Sequence, residues 1–323
     1  LKLETRNKKS ILKNFAAGNF TLESGTELQN VEIAYHIFGE LAPEKKVIWV
    51  CHALTANSDA QDWWPNFIGE NLTLDTEKYT IVCANILGSC YGTSFQKQEK
   101  LPLITIRDMV KLHQELAKFL QISEIELLLG GSLGGMQCLE WAIVEPDFIK
   151  KLFVIATNAK HSAWGIAFNE AQRMALELGE NGIDAARAIA MLSYRNYATF
   201  EATQTDESEK LENYRAASYQ RHQGEKLRKR FSKESYFMLS KAMDSHHLGR
   251  GRNSVENALS QITAEALVIG IDSDILFPVS EQKFIAEHIK NAKLEVISSL
   301  YGHDGFLIET EKISTLLKKH FNL

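Results

Sequence analysis

The 323-residue sequence has few cysteines, no long apolar run and no excess of basic residues, and each shortage removes a class of protein. Its four cysteines, Cys51, Cys83, Cys90 and Cys138, include no CxxC pair. That excludes a disulfide-stapled framework and offers no zinc motif; three of the thiols sit in apolar runs and are expected to be reduced and buried. No stretch reaches the roughly 18 apolar residues of a membrane-crossing helix. The lysine-rich stretch 1–14 adjoins no apolar segment of the signal-peptide kind, so the expectation is a cytoplasmic protein with no membrane partner. Lys and Arg number 36 against 41 Asp and Glu, a formal net charge of −5, which gives no general attraction to nucleic acid or anionic lipid. A small-molecule substrate is the better expectation.

With 45% hydrophobic residues the chain can bury a large core. It shows neither an internal repeat nor a low-complexity linker, so its organisation must come from the rhythm of apolar runs. Short strand-like pieces at 20–23 and 31–37 flank the turn-prone Ser24-Gly25-Thr26 and are expected to pair antiparallel. A second rhythm follows, with apolar runs at 46–51, 79–84, 125–129 and 152–156 and helical stretches at 106–120 and 133–144, the latter stopped before Pro146. It resumes with a run at 266–271, a helix over 280–289, a strand over 293–297 and an amphipathic stretch over 306–321. Continuous apolar runs alternating with helices are what a parallel sheet covered on both faces requires. Between 158 and 262 the pattern is helical and polar. The expected architecture is therefore an α/β core, 1–157 with 263–323, carrying a helical cap, 158–262, over the carboxyl ends of its sheet.

The segment Gly130-Gly131-Ser132-Leu133-Gly134-Gly135 lies between an apolar strand and a helix, the context in which G-x-S-x-G marks a nucleophile. A serine on a sharp strand-to-helix turn holds a strained backbone, and the neighbouring chain passes only if the residues two before and two after lack a β-carbon. Gly130 and Gly134 meet that need. Read alone, the motif is also compatible with a glycine-rich turn or helix cap. A serine hydroxyl needs a base, and the base needs an acid to hold its tautomer, in the chain order Ser, Asp, His. The strand at 266–271 runs into Asp272-Ser273-Asp274, and the strand at 293–297 leads to Gly302-His303-Asp304. Asp272 and Asp274 compete for the orienting role; Asp274 is favoured because it lies further into the loop, four residues before Pro278. His303 is the expected base. The oxyanion donors are expected from the backbone N–H of Leu133, after the nucleophile, and of Leu54, in the loop after 46–51; His52 is read as structural. Together these features spell an α/β-hydrolase fold.

Many further pieces resemble the homoserine O-acyltransferases, chiefly the homoserine O-acetyltransferases of methionine biosynthesis, from about residue 14 to 321. They include His52-Ala53-Leu54-Thr55, Trp63-Trp64, Asn85-Ile86-Leu87-Gly88, Cys90-Tyr91-Gly92, Thr105-Ile106-Arg107-Asp108-Met109, Phe168-Asn169-Glu170 and Leu248-Gly249-Arg250-Gly251-Arg252. The resemblance implies a ping-pong transfer from acetyl-CoA, as co-substrate with no bound cofactor, through an acyl-Ser132 to L-homoserine, in a homodimer formed through cap helices. It implies that Arg187, Tyr194 and Asp304 hold the homoserine carboxylate and ammonium. Residues seven apart share a helix face, a guanidinium suits a carboxylate, and a carboxylate suits an ammonium. The sequence departs from the family at Ala56, where glycine is usual, at Thr93-Ser94-Phe95-Gln96-Lys97, and in a shorter cap between Met174 and Arg187. The first two loops are expected to border the acyl entrance.

Other features read as less. Asp244-Ser245-His246-His247 has adjacent histidines pointing different ways and no completing carboxylate, so no metal is expected. The basic stretch 226–230 reads as a solvated helix face, while Arg250 and Arg252, flanked by glycines, are the better candidates for CoA phosphates. Three readings stay open: the acetyltransferase, with succinyl donor or serine acceptor as variants; an esterase or thioesterase of the same fold; and a silent binding protein, disfavoured because every triad position is filled. Arg187 with Asp304 is the feature that separates transferase from hydrolase.

Overall fold

A computed structural model describes residues 10–179 and 181–322; residues 1–9 of the lysine-rich stretch read for targeting signals lie outside the described residues. The strands are β1 (Ile11–Thr21), β2 (Glu27–Phe38), β3 (Lys46–Cys51), β4 (Ile68–Gly69), β5 (Leu74–Asp75), β6 (Tyr79–Ala84), β7 (Ile125–Gly131), β8 (Ile149–Ile155), β9 (Glu265–Ile271) and β10 (Ala292–Ile297). Eight of them form one sheet in the order β1-β2-β6-β3-β7-β8-β9-β10, with β4 and β5 as a separate small pair. From β6 to β10 neighbouring strands are parallel, and β1 and β2 add antiparallel to one edge.

The helices are α1 (Ala60–Trp63), α2 (Ile106–Phe119), α3 (Leu133–Val144), α4 (Ala163–Glu177), α5 (Gly182–Tyr194), α6 (Tyr197–Gln204), α7 (Arg215–Arg228), α8 (Lys233–Asp244), α9 (Val255–Leu259), α10 (Val279–His288), α11 (Gly305–Ile308) and α12 (Thr310–Phe321). Alternate residues of the central strands supply two separate apolar layers. Trp49 and Leu128 face Met109, Leu112 and Met136 of α2 and α3, whereas Ile48, Val50, Leu127 and Leu129 join Trp64, Ile313 and Leu317 on the other side. This two-sided burial is why the parallel strands read as unbroken apolar runs.

β1 begins well before the expected strand at 20–23. Residues 12–19 are mostly exposed, so this part is held mainly by its ladder to β2, with Phe15 and Ala17 half-buried against the core, and leaves little apolar signal. The amphipathic stretch at 306–321 forms two helices, parted where Glu309 leaves helical geometry at φ −82 and ψ 42. Between β8 and β9 the chain forms α4 to α9. This insertion is seated on the loops after β9 and β10: Trp164 Nε1 donates to Ile275 O at 2.8 Å, and the Thr199 hydroxyl donates to Leu300 O. Among the described residues no helix is long and apolar enough to cross a membrane. Cys51, Cys83 and Cys138 are buried free thiols, and Cys90 is exposed.

Four of the buried histidines, His52, His113, His161 and His246, are strongly shifted by their burial. Desolvation lowers His52 and His161 to about 4, and His113, packed against Trp49 and Trp141, and His246 to about 3. Each is neutral in the fold but takes a proton near its ordinary 6.5 once unfolded. The unfolded chain therefore binds more protons below that value, and stability falls as pH is lowered. Denaturant unfolding should show the loss already between about pH 6.5 and about 5, above the main carboxylate range, at up to roughly 1.4 kcal/mol per histidine per pH unit. A midpoint that stays flat across that window would contradict it.

Candidate active site

The site begins where β7 turns into α3. Ser132 occupies φ 55, ψ −127, a left-handed conformation that an L-residue adopts only when its surroundings enforce it. They do so from three directions. A β-carbon on Gly134 would lie 2.1 Å from Cys51 O, and one on Gly130 would lie 2.6 Å from the Gly134 backbone, so α3 can start this close to β3 only with glycine at both positions. Ser132 N donates to Ile155 O at 3.0 Å, and Thr157 Oγ1 donates to Ser132 O at 2.8 Å. The serine is thus held between β3 and β8 with the positive end of α3 behind it.

The loops after β9 and β10 bring the other two groups to it. His303 Nε2 lies 2.9 Å from Ser132 Oγ, and His303 Nδ1 lies 2.7 Å from Asp274 Oδ2. The other Asp274 oxygen accepts from Leu276 N at 2.8 Å and Phe277 N at 2.9 Å, which fixes the carboxylate plane. Asp272 instead accepts from Ser299 N at 3.2 Å and takes no part in the row. Phe277, Phe306 and Tyr194 surround the imidazole, with ring centroids 5.0, 5.3 and 5.7 Å away. All three polar groups are buried, as a proton relay shielded from bulk water requires.

Leu54 and Leu133 stand beside Ser132, and among the described residues neither backbone N–H has a protein acceptor. Ala56 N donates to Ala53 O at 3.1 Å, closing a tight turn around Leu54 and Thr55. Beneath it, His52 Nδ1–H donates to Ala53 O at 2.9 Å and Nε2 accepts from Ile86 N at 3.1 Å. That is the neutral tautomer its lowered pKa demands, and it occupies both ring nitrogens in support of the loop.

A cavity of about 590 Å³ opens above these groups, lined among others by Ser132, His303, Leu54, Arg187, Tyr194 and Asp304. Arg187 and Tyr194 share one face of α5, the guanidinium 5.3 Å from the ring centroid. Burial raises the Tyr194 pKa, opposed by Arg187 and aided by Asp304, so the phenol stays a neutral donor. Asp304 has a resident partner: Arg195 Nε lies 2.9 Å from its Oδ2.

A family model described as alpha/beta hydrolase fold matches residues 46–310. A homoserine O-acetyltransferase of Cyclobacterium marinum is 42% identical over 93% of this chain and 92% of its own length. The chain belongs to the homoserine O-acetyltransferase family. Two solved structures have the same fold. The homoserine O-acetyltransferase of Staphylococcus aureus superposes with a TM-score of 0.86 at 28% identity, covering 98% of this chain and 96% of that one. That of Bacillus anthracis shares the fold, with a TM-score of 0.90 at 20% identity, covering 98% and 99%.

Three expectations about this family member's surroundings need correction. Arg250 and Arg252 do not reach the cavity: Arg250 pairs with Glu23 at 2.8 Å and Arg252 with Glu140 at 2.5 Å, tying the segment before α9 to the core. Lys226 and Arg230 of the stretch read as a solvated face are exposed but line the cavity. Of the two departing loops, Ala56 borders the cavity, whereas residues 93–97 run beside β2, where Ser94 N donates to Glu32 O at 3.0 Å. Arg195 drew no reading from the sequence, and Arg230 only that of a charge on a solvated face. Arg195 had a signal, adjacency to Tyr194 at the end of its helix; Arg230 had none beyond its charge. In the Asp244–His247 segment, Asp244 accepts from Arg173 and Asn169, and His246 Nε2 lies 3.0 Å from Asn158 O.

The two candidate acids can be separated kinetically. Asp274→Asn should lower kcat by roughly 10⁴-fold with the fold intact, as in other triads that lose the correct tautomer. Asp272→Asn, which weakens only a loop hydrogen bond, should stay within about tenfold of wild type. The reverse order of damage would move the orienting role to Asp272.

Proposed function

We propose that this protein transfers an acetyl group from acetyl-CoA to the hydroxyl of L-homoserine, giving O-acetyl-L-homoserine for methionine biosynthesis, by a ping-pong route through acetyl-Ser132. His303 Nε2 takes the Ser132 proton as Oγ attacks the thioester carbonyl, Asp274 stabilises the imidazolium, and the Leu54 and Leu133 N–H groups receive the oxyanion. His303 passes its proton to the departing CoA sulfur. It then takes the proton of the homoserine hydroxyl, which attacks the acetyl ester, and finally returns a proton to Ser132. The cycle needs no bound cofactor.

The observation that carries this reading over a simple esterase is the charged set beside the nucleophile. Arg187 suits the acceptor carboxylate, and Asp304, with one oxygen on Arg195, keeps the other for the ammonium. Water as acceptor needs neither. The names of the relatives point to the same acceptor. We also assign the protein to the cytoplasm, on its free thiols, and to a homodimer formed through the insertion, on the exposed Met174, Leu178, Leu192 and Tyr197; a monomer mass by light scattering would oppose the latter.

Incubation with acetyl-CoA alone should add one acetyl mass at Ser132, and Ser132→Ala should abolish turnover without unfolding. Arg187→Ala should leave the acylation burst near normal but lower kcat/KM for homoserine by about tenfold to a few hundredfold, the loss of one charge-assisted contact. Product mass spectrometry with acetyl- and succinyl-CoA against homoserine and serine decides among the transferase variants. Acetyl-enzyme that is released only to water would favour the hydrolase.

A further inference from the structure

The turn that carries Leu54 is supported from below by His52, but its outer side is held from the insertion. Arg230 Nη1 donates to Thr55 O at 2.6 Å and to the Tyr91 hydroxyl at 2.8 Å, and Nη2 lies 3.4 Å from Thr55 Oγ1. Thr55 directly follows Leu54 within the turn closed from Ala53 to Ala56. Arg230 in turn is fixed just beyond α7: its N donates to Leu227 O at 2.9 Å, and the neighbouring Phe231 is buried against Tyr91 and Tyr236. α7 packs on α5, the helix of Arg187 and Tyr194, and Arg228 pairs there with Asp184 at 2.9 Å.

We infer that Arg230 is a positioning residue for the oxyanion site: it clamps the Thr55–Ala56 peptide at its carbonyl, that peptide's N–H holds Ala53 O, and the Ala53–Leu54 peptide is thereby steadied with its N–H aimed at the reacting oxygen only when the insertion is seated. The inference rests on the proposed acyl-serine reading. An oxyanion donor acts through its direction, and a peptide plane free to tilt loses most of its effect. Arg230 suits the task because a guanidinium reaches two acceptors at once with fixed geometry. The helices that present Arg187 to the acceptor would thus also complete the site that stabilises charge.

The opposing role for an exposed arginine at a cavity rim is to hold the donor's phosphates, and the two roles separate by experiment. Both half-reactions pass through an oxyanion at one place, whereas phosphates matter only to the first. Rates per active site, titrated by the burst, should be measured for acetylation by acetyl-CoA, acetylation by p-nitrophenyl acetate, which has no phosphate, and deacetylation by homoserine. Arg230→Gln should slow all three by a similar factor, about ten- to hundredfold, less than the roughly 10²–10³ for outright loss of a donor, with KM for acetyl-CoA within about twofold. Arg230→Lys, able to reach Thr55 O with one ammonium, should recover part of the rate. Tyr91→Phe, which keeps the ring and removes one acceptor, should show a smaller loss of the same pattern, and Lys229→Ala should show none. A rise in KM for acetyl-CoA with p-nitrophenyl acetate unaffected would overturn the inference in favour of phosphate binding. Equal rates in Arg230→Gln and wild type would overturn it with the acyl-transfer reading intact. Wild-type protein that is acetylated at Ser132 by neither donor would overturn both.

Discussion

The approach of α3 to β3 constrains everything above it. The backbone of Gly134 passes so near Cys51 O that a methyl group there would overlap it at 2.1 Å, and this contact forces Ser132 into its left-handed turn. The turn lifts Oγ clear of the sheet, leaves the first N–H groups of α3 without acceptors, and sets Leu133 opposite Leu54 of the loop that β3 itself feeds. The proposed nucleophile and oxyanion donors are therefore consequences of one close passage rather than separately positioned parts.

The remaining groups divide between the two regions of the chain. The sheet supplies the acid and the base from loops at the same edge, and the insertion supplies Arg187, Tyr194 and Arg195 from α5 and the residue after it. The two sets meet at the 3-10 turn Gly302–Asp304, where His303 faces Ser132 and Asp304 faces Arg195. In the proposed reaction, chemistry is thus anchored in the sheet and its loops, and recognition reaches it from a layer of helices attached by hydrogen bonds to loop carbonyls.

How much of this was legible in the sequence follows from the range of the interactions. Ser132, Asp274 and His303 were readable because each sits at a fixed offset from a buried parallel strand, and such strands announce themselves as unbroken apolar runs. That Arg187 and Tyr194 share one helix face was readable from family likeness and helical spacing together, and both line the cavity. Arg230 was not, because its meaning lies in Thr55, 175 positions away in the chain. Likewise nothing local distinguishes Arg250 and Arg252, neutralised by Glu23 and Glu140, from arginines free to hold a phosphate. The early part of β1 was hard to see for the opposite reason: an edge strand held mainly by its backbone ladder, with only Phe15 and Ala17 packed on the core, shows little apolar pattern.

The adjacency of His303 and Asp304 has a consequence for the gauging of acceptor length. In the proposed complex the ammonium rests on one of these residues and the hydroxyl on its neighbour, so the span between them is ruled off within a single short turn. A shift of the insertion can turn the Asp304 carboxylate through Arg195 but cannot separate the backbone on which both marks are cut. A hydroxy amino acid one methylene too short would reach the ammonium mark or the hydroxyl mark but not both, and discrimination by chain length becomes a property of local covalent geometry rather than of how tightly the cap closes.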